Sequence, residues 1–404
     1  MSAGETTERR SWVEILLVFL RLGCTSFGGP VAHIGYFREE FVNRRKWLDD
    51  RAYADLVALC QFLPGPASSQ VGFSIGLTQG GPLGALAAWA GFTLPSAILL
   101  AAFAYGVDIA GGAEGAGWLH GLKLVAVAVV AQAALQMGRS LCPDAPRATL
   151  AVLAAAFMLV AAPAYGQLLV ILAGGIFGLL ALKQDEAGET PAAYETRVGP
   201  RTALVLLVLF VLLLVGLPLI VAGTDNLGIR IADTFYRVGA LVFGGGHVVL
   251  PLLEAEIVPQ GLVDRDTFLA GYGMAQAIPG PLFTFAAYLG AAAAPEGSEI
   301  AVAATALVAI FGSTFLLVPA ALPFWAKLRA NRRAQSALGG VNAAVVGLIL
   351  AALYDPVFTG AVAAPVDFAL VALAYLALAI WKLPPWFVVL LGAIAGWLLH
   401  FSGV

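Results

Sequence analysis

Charged side chains are scarce in this 404-residue chain. Asp, Glu, Lys and Arg make up 12% of it, about half of the fraction usual in a soluble globular protein. Hydrophobic residues account for 60%, and the mean hydropathy is +0.89. The net charge of −3 says little, because the charges are concentrated in a few loops. The composition predicts an all-α polytopic membrane protein.

Signatures of metal, redox and nucleotide sites are missing as well. The three cysteines, Cys24, Cys60 and Cys142, have no CxxC spacing, and the four histidines form no HxxxH pattern. There is no GxxxxGK[ST] loop and no basic tract with interleaved aromatic residues. These absences argue against an ATP-driven pump, a cofactor-dependent enzyme and a nucleic-acid-binding protein. We expect no cofactor, no metal and no enzymatic activity.

The amino terminus resembles a signal peptide only superficially. Arg9 and Arg10 precede an apolar stretch, but Glu14 and Arg21 interrupt it and no small-residue cleavage site follows. We interpret this stretch as a retained first membrane element.

Two halves of the chain repeat one pattern in the same order. "FLRLGCTSFGGP" from Phe19 matches "FYRVGALVFGGG" from Phe235, and "QFLPGP" from Gln61 matches "QAIPGP" from Gln276. Farther on, "GLKLVAVAVV" matches "GVNAAVVGLI", which places Lys123 opposite Asn342. The repeat predicts a first unit over residues 1–182 and a second over 229–404. Residues 183–228 form a polar linker and one extra transmembrane helix.

The loops indicate that the two halves are inverted in the membrane. The loop 38–51 holds five basic residues, whereas its partner, 254–266, holds one basic and four acidic residues. Because basic residues stay on the cytoplasmic side of short loops, paired loops of opposite charge lie on opposite sides. The extra apolar segment 202–221 supplies the odd crossing that this arrangement needs.

The same argument predicts re-entrant hairpins. The amino terminus and the loop 38–51 both look cytoplasmic, so the stretch between them turns back, with "FGGP" at its tip. Residues 53–77 turn back in the same way at "PGP". Full spans are expected near 83–107, 118–137, 147–162 and 167–182, with a repeat from Ile229. The alternative treats each breaker as one broken spanning helix and gives about 13 spans.

Broken helices in a membrane expose backbone groups that need polar partners. The amino end of a half-helix offers free N–H groups and about half a positive charge, which suits an anion. Inverted symmetry brings all four breakers together near the midplane. The predicted substrate-binding residues at these tips are Phe27, Gly28, Gly29, Gly65, Ser68, Ser69, Phe243, Gly244, Gly245, Gly280 and Thr284.

Charged and amide side chains extend this prediction. Arg21 and Arg237 lie six residues before the Phe-Gly-Gly tips, and membrane-embedded arginines are costly and usually functional. The alternative for them is snorkelling or an ion pair with Glu14 or Glu40. Lys123 is a further candidate, or a residue that snorkels to the interface. The amides of Gln61 and Gln276 either donate to an oxyanion or cap freed carbonyl groups.

Four residues are candidates for carrying a coupled proton. Glu40 and Glu256 are acids kept in register in both halves, although interfacial pairing with Arg44 or its neighbours is the simpler interpretation. His33 and His247 follow the two tips but do not align with each other. Histidine titrates near neutral pH.

The motifs "FGGPVAHIGYFREEFVNRRKWL", "LCQFLPGP" and "FGGGHVVLPLLEAEIV" resemble those of the chromate ion transporter family in its long, two-domain form. The resemblance covers nearly the whole chain. It implies a multi-pass carrier of the bacterial or archaeal inner membrane that exports chromate, with a proton or a counter-anion as coupling ion. Alternatives are sulfate or another oxyanion as the true cargo, and an anion channel. A homodimer is possible. In the second half Gly246 replaces Pro30, which makes the half-sites unequal.

Overall fold

A computed structural model describes residues 10–109, 117–161, 166–182, 198–243 and 246–402. This part of the chain is helical and contains no β-strand. The helices of the first half and the linker are α1 Trp12–Thr25, α2 Gly29–Arg38 with a π-helical turn Glu39–Arg44, α3 Asp50–Phe62, α4 Ala67–Ile109, α5 Gly117–Leu141, α6 Ala145–Ala161, α7 Gly166–Ala181 and α8 Pro200–Val221.

The second half repeats this order with shorter pieces. Its helices are α9 Leu227–Leu241, α10 Val249–Ile257, α11 Arg265–Ala277, α12 Phe285–Ala292, α13 Glu299–Ala321, α14 Trp325–Ala330, α15 Arg332–Ala352, α16 Pro365–Tyr375 and α17 Pro385–Ser402. Short 3₁₀ turns occupy Gly246–Val248, Leu282–Thr284 and Leu322–Phe324, and π-helical turns occupy Leu353–Phe358 and Leu376–Ile380.

Aspartates in register start the equivalent helices α3 and α11. The Asp49 carboxylate accepts a hydrogen bond from the Ala52 amide at 2.7 Å, and Asp264 accepts one from Thr267 at 2.8 Å. Each satisfies an amide that the first helical turn leaves without a partner. The repeat therefore preserves where helices begin.

The first breaker forms a hairpin and not a broken span. α2 and the π-helical turn that follows it return alongside α1. The Phe19 ring of α1 stacks on the Phe41 ring of this turn, with ring centroids 5.0 Å apart. Farther from the tip, Arg45 lies 3.5 Å from Glu14. Because the contact farther before Gly28 on α1 is also the contact farther after Gly28, the two arms are antiparallel. This is the geometry of the re-entrant hairpin that the loop charges predict.

The second breaker forms another hairpin. Cys60 on α3 lies 3.6 Å from Ser74 on α4, on the far side of the Pro-Gly-Pro turn. α4 then turns back at Gly81, where φ is +67°, and its second arm runs on to Ile109. A positive φ favours glycine, which has no Cβ to clash. The region predicted at 53–77 is thus a hairpin, and the span predicted at 83–107 is the second arm of α4.

The two halves are inverted relative to each other. The ring of Trp89, in the second arm of α4, lies 5.0 Å from Phe315 of α13. About four turns farther along this arm, Phe103 lies 5.7 Å from Tyr288 of α12, and α12 packs on the start of α13. The second arm of α4 and its repeat partner α13 therefore run in opposite directions. The arrangement predicted from the loop charges is confirmed at the level of the fold.

The halves interlock through close helix crossings. α5 packs against α16 and α17, whereas α15 packs against α6 and α7. Gly117 and Gly121 meet Gly396 and Gly392, with backbone atoms in direct contact. Ser336 and Gly340 meet Gly178 and Gly174 in the same way in the other pair. Small residues four apart permit such crossings inside a membrane, so each long helix is held by the opposite half.

Five of the described helical segments are long and apolar enough to cross a bilayer: 67–106, 117–141, 200–221, 299–324 and 332–358. The helices at 145–161, 166–181, 365–380 and 385–400 are apolar but shorter. α8 packs on α9 and α13, and Tyr236 of α9 donates a hydrogen bond to the Phe210 carbonyl at 3.0 Å. The extra helix thus belongs spatially to the second half. The division at 183–228 stays a prediction.

Candidate functional site

The four hairpin tips meet in the interior of the molecule. The Gly65 amide of the first Pro-Gly-Pro turn donates to the Val242 carbonyl at 2.7 Å. The Gly280 amide of the second turn donates to the Ser26 carbonyl at 2.9 Å. Gly65 and Gly280 are equivalent in the repeat, as are Ser26 and Val242. The two bonds are therefore reciprocal, and each half's proline turn is tied to the other half's Phe-Gly-Gly tip.

Glycine is required at these tips for two separate reasons. Gly28, with φ of +97°, caps α2 in the left-handed region, where other residues are strained. Gly280 has φ of +102°, and a Cβ there would lie 2.7 Å from the Ser96 hydroxyl. The tips therefore approach more closely than side chains allow. Their N–H groups stay near the neighbouring hairpin.

A cavity of about 360 Å³ adjoins the tip of the first hairpin. It lies between both halves. Its polar and glycine lining consists of Gly28, Gly29, Gln132, Gln136, Gln276, Gly280 and Lys382. Of the residues predicted from sequence, Gly28, Gly29, Gln276 and Gly280 therefore share one space. None of the lining residues in the described part of the chain is an aspartate or a glutamate.

The two predicted arginines lie in ion pairs within their own hairpins. Arg21 donates to Glu40 at 3.0 Å, and half of its side chain is exposed. Arg237 contacts Glu256 directly and Asp233 at 2.8 Å. For Arg21 this is the ion-pair alternative considered above. A guanidinium that is paired with a carboxylate attracts a further anion less strongly. These ion pairs therefore weaken the case for either arginine as a substrate ligand.

The predicted proton carriers have different surroundings. The carboxylate of Glu40 is buried and contacts Arg44 at 2.9 Å and Arg45 at 2.7 Å, in addition to Arg21. Glu256 is paired with Arg237. His33 is fully buried, with Nδ1 3.4 Å from the Ser68 hydroxyl. Its Nε2 has no hydrogen-bond partner among the described residues. The side chain of His247 lies outside the described residues.

The remaining candidates are not gathered at the cavity. Lys123 pairs with Asp266 at 3.0 Å, near the start of α11. Thr284 donates to its own turn, at the Pro281 carbonyl, at 2.7 Å. Ser68 and Ser69 are buried on the first turn of α4, while Gln61 is exposed and Phe27 and Phe243 are half-buried. Gly244 and Gly245 lie outside the described residues.

Three cavity residues were missed by the sequence analysis: Lys382, Gln132 and Gln136. Gln132 and Gln136 are polar residues one helical turn apart in an otherwise apolar helix. That spacing was a usable signal, because both amides project from the same face. Lys382 sits in "WKLPP" and looks like an ordinary loop lysine. Only the fold of α16 and α17 brings it to the cavity.

The fold and this site define a polytopic membrane protein of two inverted halves whose breakers meet at one interior junction. The chain belongs to the chromate transporter family, whose model matches residues 13–179 and 229–397. These two matches coincide with the two structural halves. No solved structure matches the chain.

Several bacterial relatives match over most of their length. A chromate transport protein of Pseudomonas aeruginosa is 29% identical, over 96% of this chain and 92% of its own. A probable chromate transport protein of Synechococcus elongatus is 27% identical, over 83% and 82%. A chromate transport protein of Cupriavidus metallidurans is 25% identical, over 84% and 81%.

Proposed function

We propose that this protein is a secondary active transporter that exports chromate across the inner membrane and thereby confers chromate resistance. Family membership and the names of the relatives support the cargo. The observation that carries the transport mechanism is the reciprocal pair of hydrogen bonds from Gly65 and Gly280. Two inverted hairpin systems joined at one central point can rock against each other and expose that point to either side in turn.

Chromate is a tetrahedral dianion, so its site needs donors and positive charge without nearby carboxylates. The amino end of α2, at Gly28 and Gly29, borders the cavity and supplies backbone N–H groups. Such a helix end stabilises negative charge. Gln276 adds an amide from the opposite half. We therefore place the substrate at the junction of the tips, on the cavity side.

The coupling ion is a proton or a counter-anion. Glu40, Glu256, His33 and His247 remain the candidates for carrying a proton. Of these, His33 has a buried ring nitrogen without a hydrogen-bond partner in the described part of the chain. Glu40 is engaged by three arginines, so it would release or take a proton only if that cluster opened.

The test is chromate flux into inside-out vesicles that contain the protein, with and without an imposed proton gradient. We expect gradient-dependent accumulation that sulfate inhibits, and none in vesicles without the protein. Flux that only equilibrates would indicate an anion channel. Sulfate accumulation without chromate flux would overturn the cargo, and leave an oxyanion transporter. A counter-anion gradient that replaces the proton gradient would identify an exchanger.

A further inference from the structure

We propose that the transported dianion is bound in the cavity by Lys382 together with the amides of Gln132, Gln136 and Gln276. In this assignment neither Arg21 nor Arg237 is a ligand. The inference rests on the proposed function and makes the substrate site specific. It follows from four properties of the cavity: its charge, its position, its unsatisfied donors and its lack of a counterpart in the other half.

The charge of the cavity is positive and uncompensated. Among the described residues that line the cavity, Lys382 is the cation and none is acidic. In the described part of the chain, no carboxylate oxygen lies within 4.0 Å of the Lys382 ammonium nitrogen, whereas the ion pairs described above are all closer than this. An ammonium group that faces a polar cavity without a carboxylate attracts an anion. Arg21, Arg237 and Lys123 are each paired with a carboxylate.

Lys382 is exposed and lines the cavity from the turn of the α16–α17 hairpin, which packs along α5. Asp367 near the start of α16 contacts His120 near the start of α5 at 2.8 Å. From there α16 follows α5, and the turn after Ile380 lies beside Gln132 and Gln136. These glutamines are 15 and 19 residues from Gly117, or about 22–28 Å along the helix. α5 ends at Leu141, so Lys382 lies toward the carboxyl-terminal end of this helix, with its side chain exposed.

The cavity also contains donors that have no acceptor. The Nε2 atom of Gln276 is buried without a hydrogen-bond partner in the described part of the chain. The amino end of α2, at Gly28, has no side-chain cap. Buried donors in native proteins are nearly always satisfied. A tetrahedral oxyanion has four acceptor oxygens, and about 360 Å³ is several times the roughly 30 Å³ that one water occupies.

The inverted half has no matching set of donors. In the alignment that pairs Gly121 with Gly340, Gln132 corresponds to Ala351 and Gln136 to Asp355. Asp355 lies 3.6 Å from Arg265 and would repel a dianion. The amide donors of this cavity are therefore not repeated at the equivalent positions of the other half, and the two half-sites differ in chemistry.

The first test compares the chromate KM of four variants in proteoliposomes. Lys382→Gln should raise KM at least tenfold, since a charged hydrogen bond contributes about 1.5–3 kcal/mol and 1.4 kcal/mol is tenfold. Lys382→Arg should stay within about threefold of wild type. Lys327→Gln removes an exposed lysine of α14 and should change nothing. Arg21→Gln should also leave KM unchanged.

The second test needs no variant. Acylation of Lys382 by a water-soluble amine reagent, read by peptide mass spectrometry, should slow at least fivefold with chromate or sulfate but not with equal chloride. Lys327 is the internal control and should react at one rate throughout. This readout keeps the proposal testable if Lys382→Gln does not fold.

Either of two results would overturn the assignment. One is a wild-type KM in Lys382→Gln with a raised KM in Arg21→Gln. The other is equal acylation of Lys382 with and without oxyanion, in protein that transports it. Failure of the proposed function is a separate result. If the wild type moves sulfate and not chromate, protection by sulfate still tests the site.

Discussion

The interior of the first half is polar around its tips, whereas the same positions in the second half are apolar. His33 and Ser68 are in contact, and their repeat partners are Val249 and Phe283. In the same alignment, Ser26 corresponds to Val242 and Gln70 corresponds to Phe285. All eight side chains are buried. The duplication thus kept the backbone of each tip and changed the chemistry beside it.

The ion pairs of the two halves have opposite composition: the central group is an acid in the first half and a base in the second. In the first half one buried carboxylate, Glu40, is surrounded by Arg21, Arg44 and Arg45. In the second half one guanidinium, Arg237, is shared by two carboxylates. Inverted halves place equivalent hairpin arms on opposite sides of the membrane, and basic residues are retained on one side only. The backbone positions of the two halves therefore correspond, while the charge of each side chain depends on the side of the membrane that it faces.

If the scaffold is equal in both halves, its closest crossings should be equally intolerant. A Cβ on Gly121 would overlap the Gly392 carbonyl oxygen, and a Cβ on Gly340 would overlap that of Gly174. Backbone atoms cannot move aside as a side chain can. We expect Gly121→Ala and Gly340→Ala to cost about 3 kcal/mol each, the upper end for overpacking. Thermal unfolding of the purified proteins measures this.

Gly138→Ala is the matched control, since it lies in the same helix as Gly121. Its Cβ would have only the Val346 methyl within reach, at 4.0 Å. It should be neutral or stabilise by up to about 1 kcal/mol, the gain in helix propensity of alanine over glycine. Unequal costs of more than about 2 kcal/mol for Gly121→Ala and Gly340→Ala would contradict an equal scaffold.

The charge difference predicts that the two repeat-equivalent arginines are not equally important for stability. Arg237→Gln leaves two carboxylates without a cation, and the Asp233 side chain is 6% exposed. We expect a loss of about 3 kcal/mol, as for breaking a buried pair. Arg21→Gln leaves Glu40 with two arginines. Because the Arg21 side chain is 53% exposed, its loss should cost about 1 kcal/mol or less.

Chemical and thermal melts in detergent give both values. Adding Asp233→Asn and Glu256→Gln to Arg237→Gln should restore most of the lost stability, because the stranded charges are then gone. A larger loss in Arg21→Gln than in Arg237→Gln would show that exposure and partner number do not set these energies.

Much of the fold could be predicted because breakers and loop charges are local signals. The Pro-Gly-Pro and Phe-Gly-Gly repeats located all four tips, and the basic loop after α2 gave the hairpin parity. The turn at Gly81 lies between the predicted hairpin 53–77 and the predicted span 83–107, although one helix α4 that continues through this turn was not predicted. The pairing of α5 with α17 was not anticipated either, because it joins opposite halves.

The candidate site was only half visible in the sequence. Gly28, Gly29, Gln276 and Gly280 were predicted because they belong to the repeat, and they line the cavity. Lys382 was not, because its place in the cavity depends on how α16 and α17 fold against α5. Arg21 was predicted as a substrate ligand, with an ion pair to Glu40 as the alternative, and the chain supplies that carboxylate 19 residues later. A comparison of the two repeats identifies the residues that both halves share. It does not identify residues that only one half contains.

The smallest expected difference concerns one pair of serines beside the tips. Ser313 of α13 donates to the Gly239 carbonyl on α9 at 2.9 Å, while Ser96 of α4 donates within its own helix, to Thr93, at 3.1 Å. Both are fully buried. Ser313→Ala should therefore cost about 1 kcal/mol, the net value of one hydrogen bond, because it removes a link between two helices.

Ser96→Ala should cost less than about 0.5 kcal/mol, because the Thr93 carbonyl keeps its helical partner and alanine favours the helix. Replicate melts of the two variants on one preparation resolve a difference of this size. Equal costs would mean that the hydroxyl of Ser96 also acts between elements, at the Gly280 turn that approaches it. The Ser96 side chain would then stabilise the contact between α4 and the Gly280 turn, whereas the Ser313 side chain stabilises the contact between α13 and α9.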